Sequence, residues 1–199
     1  VTDPSYQVCL VEAELRARAT YAEPHRRYHT ERHLDECLNQ VDRPADLAER
    51  DRRRLRWALL WHDAVYEPGA RDNEARSAAL AKTELTACDV DPADVAEVVR
   101  LILLTESHRA PADDYLGALM VSIDLSILGS DPQRYREYSA ATREEYGHVP
   151  DELWRAGRSA VLRRMLDAEA LYPDARFRDA LEAQARANMT DELRALGGD

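Results

Sequence analysis

Apolar residues recur at three- and four-residue spacing along almost the whole chain, broken only by short Pro-, Gly- and Asp-containing stretches. That period matches the α-helical turn and not the two-residue alternation of a strand. Composition agrees, because one Phe against abundant Ala, Leu, Arg and Glu suits helices, whereas sheets favour β-branched and aromatic residues. The expected fold class is therefore all-α. A chain of 199 residues, 45% hydrophobic, can bury a sizeable core. We expect one domain over the chain, with a core spanning about 21–130 and a helical cap spanning about 131–199.

The breakers divide the sequence into eight or nine helices. Ser5 can cap a first helix that reaches about Ala19, and Pro24 precedes a second carrying His29, His33, Leu34, Cys37, Leu38 and Val41. Pro44 ends that segment, and a third helix is expected from about Ala45 to Tyr66, basic and solvated first, apolar later. Glu67 to Asn73 reads as a loop, with Asp72 or Asn73 capping a fourth helix through Cys88. Asp91 and Pro92 open a fifth, which runs to His108. A strongly apolar sixth covers Asp113 to Gly129 and should cross the core. Three more are expected near Pro132–Tyr146, Asp151–Leu171 and Asp174–Leu196.

The formal net charge of -11 argues against a protein that wraps polymeric nucleic acid, since that binding needs a basic surface. A nucleotide remains open, because a metal ion and a few arginines can draw one phosphate into a cleft. Cys9, Cys37 and Cys88 are odd in number and far apart, which supports neither a disulfide framework nor a thiolate zinc site and favours a reducing cytosol. No signal-peptide pattern stands at the N-terminus, and no apolar run approaches the ~20 residues of a membrane span. The expectation is a soluble, cytoplasmic protein without a membrane partner.

Several residues stand out as carriers of chemistry. His29 and His33, four apart on an expected helix, would share a face where one metal or one phosphate meets both; surface residues on a solvated helix are the alternative. His62 and Asp63 follow the apolar run Trp57 to Trp61, where a charge is costly unless paired or bound to metal. Their nitrogen and oxygen donors suit Zn²⁺, Mn²⁺, Fe²⁺, Ni²⁺ or Mg²⁺. Asp124 sits amid Leu119, Met120, Val121, Ile123, Leu125, Ile127 and Leu128, so it needs a cation, an arginine or a capping role. His108 could face the same cavity or sit at a helix C-terminus against the dipole. Asp72 and Glu74 are candidates for proton transfer through their nearness to His62 and Asp63, with helix capping as the alternative. His25, Arg26 and Arg27 offer contacts to phosphate or a solvated helix start.

Taken in order, His33, then His62 with Asp63, then Asp124 match the H…HD…D pattern of the HD superfamily. The strings EPHRRYHTERHL, WHDAVYEPGARDNEARSAALA, LTESH and IDLSILG resemble the subgroup of predicted metal-dependent HD phosphohydrolases from about Tyr21 to Asn188. The resemblance implies that His33, His62, Asp63 and Asp124 bind one divalent ion, with a second, water-rich ion able to join with substrate phosphate. YHTERH is similar to the YHNxxH segment of cyclic-nucleotide phosphodiesterases, which implies His33 as ligand and His29 as acid or phosphate contact; the reverse assignment is the alternative. The larger histidine set of those enzymes and the GYP motif of cyclic dinucleotide hydrolases are missing.

The activity so implied is metal-dependent hydrolysis of a nucleotide or another small phosphate ester. Asp63 would orient the attacking water, while His108, Glu74 or Asp72 would transfer a second proton. Arg26 or Arg27, with His25, would meet the phosphate. A module that binds metal and nucleotide without turnover is the first alternative, and an iron-dependent oxygenase on the same fold is the second.

Overall fold

The computed structural model describes residues 4–42, 44 and 46–197. Among them it contains nine α-helices and one 3-10 helix and no strand, so the fold is all-α. No helix among the described residues is long and apolar enough to cross a membrane. The chain divides into two compact units, Val1–Arg109 and Ala110–Asp199.

The first unit is built around α3 (Glu49–Trp61), which packs against α1 (Pro4–Thr20), α2 (Glu31–Leu38), α4 (Asn73–Ala87) and α5 (Pro92–Ser107). Its last turn explains that position: Trp57, Ala58, Leu59, Leu60 and Trp61 are all buried, and a helix apolar all round needs neighbours on every side. The neighbours present narrower stripes at helical spacing, Leu10, Ala13 and Ala17 on α1, and Val95, Val98, Leu101, Ile102 and Thr105 on α5. Asp91 caps α5 by accepting from the Ala93 amide at 2.8 Å, with Pro92 in the first turn. Asp94, 3% exposed, accepts from Arg50 at 2.6 Å and also from Arg54, which holds its carboxyl below the usual range against the opposing effect of burial.

The second unit contains α6 (Tyr115–Asp124), a 3-10 turn (Leu125–Gly129), α7 (Pro132–Glu145), α8 (Asp151–Leu166) and α9 (Ala175–Ala195). The 3-10 turn lies on α9 so closely that a Cβ at Gly129 would come within 2.6 Å of Leu181 Cβ. Its carbonyls are satisfied from elsewhere in the unit: Tyr172 Oη donates to Leu125 O at 3.2 Å and Asn188 Nδ2 to Leu128 O at 2.8 Å. Arg158 on α8 joins Glu192 on α9 at 2.8 Å, and Tyr135 and Ser139 on α7 donate to the same carboxylate.

Four sequence expectations need correction. The second helix starts at Glu31, so His29 precedes it and does not share a helical face with His33. The reason is that Arg26 and Tyr28 are buried polar side chains directed inward from a turn-rich segment over 21–30, an arrangement a continuous surface helix would not allow. The third helix ends at Trp61, leaving His62 to Tyr66 in a turn; its expected start at Ala45 lies outside the described residues. The sixth ends at Asp124, where the backbone tightens into the 3-10 turn, so that carboxylate is half-buried at a helix end. The eighth stops at Leu166, five residues before the expected Leu171.

The cysteine expectation is also overturned. Cys9 on α1 and Cys88 at the end of α4 form a disulfide across 79 residues, with Cα atoms 5.5 Å apart. Cys37 is the free, buried one. Spacing alone hid the pair because α1 and α4 pack together from distant parts of the chain, and the inference of a reducing compartment loses its premise. Closing so long a loop restricts the unfolded chain strongly. The double variant Cys9→Ser, Cys88→Ser should lose about 2–4 kcal/mol of unfolding free energy, measured by urea titration at one pH.

Candidate metal centre

The end of α3 sets the centre, and its backbone can be followed group by group. In a continuing helix Leu59 O would accept from Asp63 N and Leu60 O from Ala64 N. Instead, His62 Nδ1 takes Leu59 O at 2.7 Å and the Tyr21 hydroxyl takes Leu60 O at 3.1 Å. Asp63 N donates to Tyr21 Oη at 3.3 Å, and Ala64 N falls back to Trp61 O at 3.0 Å. Burial pushes the Tyr21 phenol up to about 12, so it keeps the proton it donates at neutral pH.

The turn that follows is held just as completely. Arg26 Nη1 donates to Asp63 O at 2.8 Å and His29 O at 3.1 Å, and Nη2 to Ala64 O at 3.2 Å. Its Nε and Nη2 also meet Glu23 at 3.0 and 2.9 Å, so every side of this guanidinium is engaged. Val65 N donates to Ser77 Oγ at 3.0 Å, and the same hydroxyl donates to Val65 O at 3.2 Å. Asn73 closes the loop by pairing with both the N–H and the C=O of Glu67, at 3.0 and 2.9 Å.

This frame brings three of the residues singled out in the sequence together. His33 Nε2 and His62 Nε2 are 3.2 Å apart, and Asp63 Oδ2 lies 3.5 Å from the first and 3.0 Å from the second. Both imidazoles are buried, while the Asp63 side chain keeps 18% of its surface exposed. Burial works to raise the Asp63 carboxyl, but the neighbouring imidazoles of His62, His29 and His33 hold it well below the usual range. A carbonyl only accepts, so the bond to Leu59 O fixes the His62 proton on Nδ1 and leaves a lone pair on Nε2 of the neutral ring.

The donor set fits a divalent cation. Ligands ~2.1 Å from one ion are separated by ~3.0 Å in an octahedral sphere and ~3.4 Å in a tetrahedral one, and the three edges here are 3.2, 3.5 and 3.0 Å. Two imidazole nitrogens with one carboxylate oxygen is a mixed set acceptable to Zn²⁺, Mn²⁺, Fe²⁺ or Ni²⁺, with coordination positions left over for water or substrate.

The remaining candidates lie in different settings. His29 stacks on Tyr66 with ring centroids 4.0 Å apart, its ring 6.0 Å from that of His33. His25, exposed, meets Tyr66 O at 2.8 Å. Arg27 is exposed and donates to Pro24 O and Arg26 O. Arg26 is structural, its guanidinium spent on Glu23 and the turn carbonyls. Asp72 precedes α4 without a side-chain cap and stands 3.7 Å from Arg76, while Glu74 is half-buried in the first turn of that helix. His108 ends α5 in the left-handed conformation, its N–H on Leu104 O at 2.9 Å. Asp124 belongs to the second unit.

Sequence reading missed Tyr21, Tyr28 and Ser77, and read Asn73 as a helix cap where its side chain pairs with the Glu67 backbone. Comparison with protein-family models, with curated proteins and with solved structures finds no match to this chain.

Arg26→Met keeps the apolar stem but strips the donors from three carbonyls. It should cost about 3–5 kcal/mol of stability in denaturant titrations, whereas Arg27→Met at the exposed neighbour should change stability by about 0.5 kcal/mol or less.

Proposed function

We propose that this protein is a metal-dependent phosphohydrolase of the HD type, acting on a nucleotide or another small phosphate ester. The observation that carries the reading is the convergence of His33 Nε2, His62 Nε2 and Asp63 Oδ2 at separations of 3.0–3.5 Å, together with the order H…HD…D in the sequence. Asp124 enters the proposal as a fourth ligand from the sequence pattern alone.

A divalent ion held there supplies Lewis acidity toward a phosphoryl oxygen and lowers the pKa of water, so that hydrolysis becomes accessible near neutral pH. The chain's own residues do the rest. His33 and His62 present neutral nitrogen donors from a buried position, and Asp63, partly open to solvent, supplies the anionic oxygen and a place to orient a nucleophile. His29, held against Tyr66 at the edge of the same cluster, is placed to give a proton to a departing oxygen. Arg27, exposed on the adjoining turn beside His25, offers positive charge to a phosphate and His25 a ring nitrogen, whereas Arg26 acts indirectly by holding the turn that carries Asp63.

Two histidines and one carboxylate are also the donor set of mononuclear iron oxygenases. This favours the oxygenase as the second reading, distinguishable by its co-substrate.

The test is a phosphate-release screen over nucleoside mono-, di- and triphosphates, cyclic nucleotides and simple phosphomonoesters, with Mn²⁺, Zn²⁺, Ni²⁺ and Fe²⁺ supplied in turn. At least one substrate should be cleaved, and Asp63→Ala should abolish at least 99% of that rate, about 3 kcal/mol of lost transition-state stabilisation, with its helical circular dichroism unchanged. Oxygen uptake by the iron-loaded protein with no phosphate released from any substrate would replace hydrolysis with the oxygenase reading.

A further inference from the structure

We propose that the Tyr28 hydroxyl is the positioning group that sets the tautomer of His33, accepting from Nδ1 when His33 and His62 share a divalent cation and donating to Nδ1 when they do not. This inference rests on the metal-binding part of the reading above.

The two Nε2 atoms face each other at 3.2 Å in a buried setting. In the neutral ring His62 presents a lone pair there, because its single proton is committed to Leu59 O. Two lone pairs cannot face each other at this distance, so something positive must lie between them, either a proton or a metal ion. If it is a proton, it sits on His33 Nε2; Nδ1 of the neutral ring is then an acceptor and needs a donor. If it is a metal ion, His33 Nε2 must be bare; the ring proton then sits on Nδ1 and needs an acceptor.

Tyr28 Oη lies 2.9 Å from His33 Nδ1, in a buried contact. A phenol is both donor and acceptor, and rotation about its C–O bond exchanges the roles without moving a heavy atom. A backbone carbonyl at this place would lock the metal-ready tautomer, as Leu59 O does for His62, and a backbone N–H would lock the other. Among the described contacts, the two imidazoles thus differ in the kind of group behind Nδ1, a hydroxyl for His33 and a carbonyl for His62. Cys37 Sγ, 3.7 Å from Nδ1 and 3.9 Å from Nε2 of the same ring, is a weaker partner that favours neither nitrogen. The tyrosine itself is 6% exposed and fixed by its neighbours: Thr30 N donates to Tyr28 O at 2.7 Å, and its ring meets His29 edge-on at 4.8 Å.

The experiment uses the full chain labelled with ¹⁵N, with Zn²⁺ alone as the probe. Long-range ¹H–¹⁵N correlation spectra report which nitrogen of His33 carries the proton. The expected result is a proton on Nε2 without metal and on Nδ1 after one equivalent of Zn²⁺, with His62 protonated on Nδ1 throughout. Tyr28→Phe, which removes only the hydroxyl, should bind Zn²⁺ about 10- to 100-fold more weakly and retain the wild-type helical spectrum. An unchanged His33 tautomer on Zn²⁺ addition, or wild-type affinity in Tyr28→Phe, overturns the inference while leaving metal binding intact. Failure of the wild-type protein to take up Zn²⁺, Mn²⁺ or Ni²⁺ overturns the metal-binding reading and the inference together.

Discussion

A single buried guanidinium organises the first unit. Arg26 reaches from the segment between α1 and α2 and binds the carbonyls of His29, Asp63 and Ala64, with Glu23 neutralising its charge. The Asp63 and Ala64 carbonyls belong to the turn that has left α3, and the His29 carbonyl to the segment before α2; neither segment satisfies them internally. Without a donor, each would carry the cost of a buried unpaired acceptor. Because the guanidinium is planar and offers its donors in a fixed fork, it sets the distance between the two pieces of chain as well as joining them. His33 follows the first piece and His62 with Asp63 opens the second, so the spacing of the proposed ligands depends on this clamp.

The same reasoning explains why α3 stops where it does. Nothing in the sequence around Trp61 is a helix breaker, and the apolar period continues through Ala64 and Val65. The helix ends because side chains compete for its last carbonyls: His62 takes Leu59 O and Tyr21 takes Leu60 O. Ending there turns His62 and Asp63 toward His33 and leaves the Asp63 oxygen partly open to solvent. Local loss of helix is thus what makes the cluster.

Helices were legible in the sequence wherever the apolar period and a strong breaker coincided. Asp91–Pro92 at the start of α5 and Asp131–Pro132 at the start of α7 combine a capping carboxylate with a proline, and both helices begin at the expected place. A boundary set by a tertiary hydrogen bond was illegible, as at Trp61, where the Tyr21 hydroxyl that takes Leu60 O lies far along the chain. Of the site, His33, His62 and Asp63 were identified from residue type and order; His29 was placed on a helix it does not occupy, and Arg26 was read as a substrate contact although its donors are consumed within the protein. The disulfide could not be read from spacing, because which cysteines meet is decided by the packing of α1 against α4.

Charge gives the cluster its chemical character. In a chain of net charge -11, three acceptor atoms gathered in one partly enclosed place attract a cation, and the depressed Asp63 carboxyl keeps one of them anionic at neutral pH. The neutral imidazoles add affinity without adding charge, which leaves a bound divalent ion with residual positive charge toward an anionic substrate. The most direct measurement is anomalous diffraction from crystals grown with Mn²⁺ or Zn²⁺, recorded on both sides of the metal absorption edge. The account predicts one strong peak within ~2.0–2.3 Å of His33 Nε2, His62 Nε2 and an Asp63 carboxylate oxygen. A fully occupied metal peak elsewhere on the chain, with those three atoms uncoordinated, would contradict it.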